Sequence, residues 1–557
     1  MAQWCVGLCI SLFLLVFLVI PVGAVCYSAF SDGQGGLTIG HFASFFDISL
    51  MRESFWNSLL VAVASVILAT FIALPLAYIT VRFNFRGALL IQTLGVLPLI
   101  MPPFVGAVAM QMIFGRSATI TLLLDEWLGF SIPFMEGLWG VIFVEGLHYF
   151  PFILLNVSAS LGNIDGAMEE SAQSLGAHGF RLFRHIVFPL ALPGFIAGAS
   201  LVFIKVFDDL GTPLVLNVTN MLAPQAYLRI TSVGLEDPIG YVISVLMVVF
   251  SCVALWLSLR VMKDKDFATA QRGGTSLPRR RLSTGGSIVA YLWIALILLL
   301  ALSPHIGILL LSLAQVWSFS VLPDAYTIEH YRTVLVDSPQ MISNTLLYCG
   351  FAAGLDVVLG TAIAYLILRT RFPARHMLDF TATAALAVPG VVLAIGYLRV
   401  FKGVQLPMMD SPLTSVWIII AIAYAVRRLP YALRSCMAAL QQLSVSLEEA
   451  AENLGADKAR TVRRIVVPLM AGGMLAGFVT SFMTAAVELS ATILLTTSQN
   501  DAPMSYGIYL FMQSIAGRGP GAALGVLAVV IVALGTYFSH RIISARAAGG
   551  IASNREF

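Results

Sequence analysis

Glu170-Ser171-Ala172-Gln173-Ser174-Leu175-Gly176-Ala177, followed by Ile186-Val187-Phe188-Pro189, returns later as Glu449-Ala450-Ala451-Glu452-Asn453-Leu454-Gly455-Ala456 and Ile465-Val466-Val467-Pro468. Every landmark lies 279 positions from its twin, half of a 557-residue chain. Each copy is a polar island between long apolar runs. The first island, Asp165–Arg184, has helical character. Glu169 and Glu170 sit in its first turn, where carboxylates offset the positive end of a helix. Gly176 then interrupts the helix, since glycine tolerates a left-handed backbone, and Phe180, Phe183 and Ile186 start an apolar stripe. The second copy repeats this with Glu448 and Glu449, Gly455, and Val462, Ile465 and Val466. Pro189 and Pro468 suit the first turn of the next helix. A repeated polar helix-turn-helix between membrane spans points to paired docking elements for a partner with two-fold symmetry.

The surroundings are a membrane protein. The chain is 59% hydrophobic and 11% charged, against roughly 25% charged in soluble domains. Spans of about 20 apolar residues fit at 4–30, 56–80, 88–114, 138–161, 190–216 and 239–261, and again at 287–315, 345–368, 377–400, 413–437, 469–497 and 519–540. The expectation is an all-α polytopic protein of two six-helix repeats, twelve spans in all. The stretch 117–130 reads as an interfacial or re-entrant piece. The first span has no basic flank and no clear small-x-small cleavage site, so it reads as a retained helix. Basic residues concentrate on one side: Arg82 and Arg86, Arg181 and Arg184, the cluster from Arg260 to Arg281, Arg369 to Arg375, Lys458 to Arg464, and Arg541 to Arg555. The positive-inside rule then places both termini and both islands in the cytoplasm. The net charge of +3 reflects this orientation and does not suggest a nucleic-acid partner. Six cysteines lie in or beside apolar runs with no C-x-x-C pair, which favours neither a metal site nor a disulfide framework.

The duplication extends beyond the islands. Asn57-Ser58-Leu59-Leu60 resembles Asn344-Thr345-Leu346-Leu347, and Ala77-Tyr78, Arg82, Phe85 and Pro102 match Ala364-Tyr365, Arg369, Phe372 and Pro389, all at an offset of 287. By Pro151 and Pro430 the offset is 279, so the first half carries eight extra residues, the origin of the stretch 117–130. Repeats with an even number of spans are parallel, related by an axis along the membrane normal. The division expected is a first membrane domain at 1–262 with its island at 165–189, a Gly/Ser/Arg-rich cytoplasmic linker at 263–286, and a second domain at 287–557 with its island at 444–468.

Several charges fall at membrane depth. Lys205, Asp208 and Asp209 lie in span five, spaced for pairing along one helix face. Glu488 in span eleven aligns with Asp209. Such residues face a cavity or pair with one another. Two readings follow, a substrate path lined by facing carboxylates or a buried Lys–Asp pair that fixes helix packing. Arg427 and Arg428 read as residues snorkelling to the cytoplasmic headgroups. Glu145 and Asp356 have no evident partner in sequence.

The pattern E-A-A-x-x-x-G-x9-I-x-L-P resembles the signature loop of permease subunits of bacterial binding-protein-dependent ABC importers. Both islands fit, with departures at Ser171, Phe188 and Val467. The resemblance implies the type I ABC importer permease fold in a fused two-domain form. It also implies a homodimeric cytoplasmic ABC ATPase as partner, a periplasmic substrate-binding protein, and a home in the bacterial inner membrane. Glu169, Glu170, Ala172 and Gly176, with Glu449, Ala450, Ala451 and Gly455, become the expected ATPase-coupling residues. Lys205, Asp208, Asp209 and Glu488 become the expected substrate pathway. Asp208-Asp209-Leu210-Gly211-Thr212-Pro213 and Glu488-Leu489-Ser490-Ala491-Thr492 look like the ferric-iron permeases; phosphonate, sugar-phosphate and thiamine permeases share much of the pattern. The carboxylates suit a hard cation, and Lys205 with the arginines suits an anion. The sequence has no G-x-x-x-x-G-K-[ST] phosphate loop, so ATP and Mg are expected on the partner and no cofactor on this chain. An ion-driven secondary transporter would also use membrane carboxylates, but it leaves the paired islands unexplained. A membrane enzyme lacks a nucleophile elbow or metal-protease motif to support it.

Overall fold

The computed structural model describes residues 2–84, 86–130, 135–263, 282–405, 411–514 and 516–553. Most of the linker expected at 263–286 lies outside them. Among the described residues the regular structure is helical, with isolated antiparallel bridges at Ser31–Leu37, Ala314–Tyr326 and Gln405–Pro412. In a bilayer a helix satisfies its own backbone groups, so this is the expected outcome for so apolar a chain.

Both halves use one packing plan. In the first, the helix Ser49–Arg82 packs on Gly137–Gly162, and both pack on Phe188–Asp208. In the second, Pro339–Arg369, Trp417–Gln441 and Val467–Ala486 repeat that triad. The halves are interlocked by exchange of their first spans. Ile20–Phe30 packs on Gly390–Phe401 of the second half, and Thr284–Leu313 packs on Pro103–Phe114 of the first. Tyr397 donates its hydroxyl hydrogen to the Phe17 carbonyl at 2.7 Å. At the equivalent crossing, a Cβ on Gly307 would lie 3.1 Å from the Ala109 carbonyl. Small residues let apolar helices approach closely where no hydrophobic drive acts between them.

The structure does not confirm the expected count of twelve spans. Among the described residues, ten helices are long and apolar enough to cross a membrane, and an eleventh candidate is a pair, Arg375–Ala387 and Gly390–Phe401, bent by 109°. The third span of the first half is likewise divided, into Ala88–Val96 with a 3-10 turn to Ile100, and Pro103–Phe114. The cause is proline. Met101 and Val388, which precede Pro102 and Pro389, are extended, because proline disfavours a helical conformation in the residue before it. The helix Trp417–Gln441 is long enough, but Arg427, Arg428 and Arg434 take it out of the apolar class. The stretch 117–130 contains a helix, Thr119–Leu128, that follows Pro103–Phe114 after a short turn. The fifth and eleventh spans lie earlier than read from sequence, over Gly179–Asp208 and Lys458–Ala486. They end at Asp208 and Ala486, and short helices, Gly211–Val215 and Thr492–Leu495, follow the breaks.

Candidate functional site

The two islands fold alike. Gly166–Ser174 is capped by Asp165, whose carboxylate accepts from the Ala167 N–H at 3.0 Å. Val445–Asn453 is capped by Ser444. Each helix ends in the same turn. Gly176 and Gly455 have φ of +88° and +87°. The Gly176 and Ala177 N–H groups donate to Gln173 and Ala172, and those of Gly455 and Ala456 to Glu452 and Ala451. This is a Schellman cap, in which a left-handed residue satisfies the last free carbonyls. Ala172 and Ala451 are buried beneath it.

The acidic residues divide their work. Glu169 is buried and pairs with Arg82 at 2.5 Å. Glu448 pairs with Arg369 at 2.7 Å and accepts from the Tyr365 hydroxyl at 3.1 Å. Arg369 also donates to the Leu440 and Leu443 carbonyls, at 3.0 and 2.6 Å. Both arginines end the second span of their half. Glu169 and Glu448 therefore do more than offset a helix dipole: they tie each island to a membrane helix. The signal was present in the sequence, since arginine and glutamate are both repeated. Glu170, Glu449 and Ala450 remain exposed. So do Met168 and Leu175, at 40% and 89%, and their twins Leu447 and Leu454, at 45% and 90%. The two islands thus present equivalent apolar tips.

The second site is a charged core joining the halves. Asp209 and Glu488 occupy equivalent places, as the alignment predicts: Asp209 accepts from the Thr212 N–H at 2.9 Å and Glu488 from the Ala491 N–H at 3.3 Å. The bridge between halves, however, runs through Asp208. Arg427 contacts Asp208 and Glu488, each at 2.5 Å, and Arg428 also pairs with Glu488. The Gly390 N–H donates to the other Asp208 oxygen at 2.8 Å. A Cβ at Gly390 would lie 2.5 Å from Arg427 Nη1 and 2.8 Å from Glu488 Oε1, so the cluster closes only over a glycine.

The snorkelling reading of Arg427 and Arg428 is therefore overturned. Both are buried, at 6% and 4% exposure, because carboxylates 219 and 60 positions away satisfy them. Nor does Asp208 form the Lys205 pair expected along the helix. Lys205 is half-buried and faces Tyr431, adding its charge to the field at Asp208 and Glu488. Asp208 and Glu488 are paired with guanidinium groups, whereas Asp209 accepts from backbone N–H groups. Among the described residues there is no cluster of three or more His, Cys, Asp or Glu able to hold a metal ion.

A duplicated, interlocked helical bundle with paired polar loops and a charged centre defines a two-domain membrane permease. Residues 65–264 and 356–549 each match the family described as binding-protein-dependent transport system inner membrane component, and the chain belongs to that family. It is 26% identical to the ferric transport system permease protein FbpB of Actinobacillus pleuropneumoniae, over 96% of this chain and 78% of that one. It is 28% identical to a putative ferric transport system permease protein of Haemophilus influenzae, over 88% and 77%. A molybdenum transport system permease protein of the same organism is 32% identical over 37% of this chain and 93% of its own length. That relative corresponds in size to one half.

Proposed function

We propose that the chain is the permease of an ATP-driven importer that moves ferric iron from a periplasmic binding protein into the cytoplasm. The observation that carries the coupling role is the pair of islands. Each has one Schellman turn, one buried arginine–glutamate anchor and one exposed apolar tip. Two copies of a separate cytoplasmic ATPase, holding ATP and Mg, dock on these tips through Glu170 and Gly176 on one side, and Glu449, Ala450 and Gly455 on the other. Ala172 and Ala451 pack the turns from below. Arg82 and Arg369 pass movement of the islands to the second span of each half. The domain division is that of the sequence, 1–262, 263–286 and 287–557, with both termini in the cytoplasm.

The names of the two relatives that match most of this chain support iron. The path runs past Lys205, Asp208, Asp209 and Glu488, and passage requires the Asp208–Arg427–Glu488 bridge to part. A second reading, an oxyanion, is favoured by Arg427, Arg428 and Lys205 at the same place and by the molybdenum relative. Uptake of radioactive iron by vesicles carrying the permease and its ATPase, supplied with the iron-loaded periplasmic binding protein, tests the proposal. Uptake that requires ATP and stops with vanadate is expected. Uptake driven by an ion gradient alone overturns the ATP-driven reading; ATP-driven uptake of molybdate in place of iron overturns the substrate.

A further inference from the structure

A small cavity lies where the two halves cross, and its lining shares no residue with the islands or the charged core. Met101 stands at the break of the third span, and Met110 on the helix that follows it. His148 comes from the helix Gly137–Gly162, and His305 from Thr284–Leu313, the first span of the second half. All four line the cavity. The rest of the wall is apolar, with no carboxylate, arginine or lysine on it.

His148 is 8% exposed, and its ring stands edge-on to Tyr149 with centroids 4.5 Å apart. Both ring nitrogens of His305 are buried, and neither completes a hydrogen bond among the described residues. The Leu97 carbonyl lies beside that ring and favours an N–H directed towards it, which leaves the other nitrogen as a lone-pair donor. Buried polar groups are nearly always satisfied, so such an orphan points to a bound water or ion. Gly106 brings the wall together: a Cβ there would lie 3.0 Å from Met101 Cε and 3.7 Å from Pro304 Cβ. The thioether end of Met101 and the residue before His305 thus meet over bare backbone. The duplication does not repeat the set. Arg427 stands at the position equivalent to His148, and Val388 at that of Met101, so the shared packing plan does not require it.

Thioether sulfur selects soft ions such as copper(I), and imidazole nitrogen also suits copper. The oxygen ligands that hard cations need are absent from the side chains of the wall. Neutral donors leave the whole charge of the ion in an apolar interior, where charge is costly, so a monovalent ion is favoured over a divalent one. We propose that His148, His305, Met101 and Met110 form a binding site for a soft monovalent metal ion, copper(I), at the crossing of the two halves. Its ligands come from both halves. The bound ion therefore pins the first span of the second half to the third and fourth spans of the first.

The test uses the full chain in lipid nanodiscs, reduced and titrated with copper(I) against the chelator bicinchoninate. One tightly held copper(I) per chain is expected, with silver(I) competing and zinc not. His148→Leu and His305→Leu should each weaken binding by about 100-fold, the upper end of what loss of a supporting group costs a metal site. The six cysteines are the rival ligands. Selenomethionine labelling separates them from the methionines in the unmodified sequence, which keeps the test valid if a histidine variant fails to fold. The X-ray absorption spectrum of the bound copper should show nitrogen and selenium neighbours. No tightly bound copper, or copper with sulfur neighbours alone, overturns the site. Nitrogen neighbours without selenium overturn the methionine ligands, and zinc held as tightly as copper(I) overturns the soft-ion class. The measurement needs neither ATP nor iron, so its failure is distinct from failure of the importer reading.

Discussion

Replacing Glu448 by Gln should release the second island from the membrane domain while leaving the bundle intact. The Arg369 guanidinium has three acceptors: the Glu448 carboxylate at 2.7 Å and the Leu440 and Leu443 carbonyls at 3.0 and 2.6 Å. Both partner side chains are only about a tenth exposed, at 12% and 13%. Removing one member of a buried ion pair costs about 3–5 kcal/mol. The remaining exposure and the two carbonyl bonds that Arg369 keeps put Glu448→Gln near the low end, about 3 kcal/mol, which raises the open population of the island about 100-fold. Arg369→Ala should cost more, since it also strands both carbonyls. Hydrogen exchange on the reconstituted complex measures this directly. Amides of Val445–Asn453 should lose about two orders of magnitude of protection, and those of Pro339–Arg369 beyond its last turn should not change. Undiminished protection in both variants would show that the anchor does not hold the island.

Gly176→Ala and Gly455→Ala should each weaken the island turns by about 1–2 kcal/mol, the cost of a left-handed L-residue, with Asn milder; substrate-stimulated ATPase activity reads the loss, and the Asp variants should lose more. Glu488→Gln leaves Arg427 with Asp208 alone and takes the carboxylate from Arg428, and it should lower uptake more than Asp209→Asn, whose carboxylate caps a short helix. Equal or unimpaired uptake in both would assign them to packing. Gly390→Ala should mimic Glu488→Gln, because the new methyl meets Arg427 and Glu488, and a charge-cluster variant with normal uptake would refute the bridge. Reporter fusions within 270–280 and after residue 557 should both report cytoplasm, and a periplasmic signal from either would reverse the orientation.

The duplication, both islands, the glycine turns and the equivalence of Asp209 with Glu488 were legible because each is local or repeats at a fixed offset. What escaped was long-range pairing. Arg427 looked like a snorkelling residue because its partner Asp208 lies in the other half of the chain. Glu169 and Glu448 looked like dipole ornaments because Arg82 and Arg369 belong to another helix, although both partners repeat together. The third spans looked continuous because hydropathy does not register the extended residues that Pro102 and Pro389 impose. Hydropathy also gave no hint that the first span of each half packs on the other, since that depends on small residues such as Gly307 and Ala109 meeting in space.

The central claim is that one chain offers two equivalent docking sites. Native mass spectrometry of the complex purified with its ATPase, combined with cross-linking from Leu175→Cys and Leu454→Cys in a cysteine-free background, tests it most directly. The account predicts two ATPase subunits per chain and a cross-link from each cysteine to its own subunit. A single ATPase per chain, or a cross-link from only one island, would contradict it.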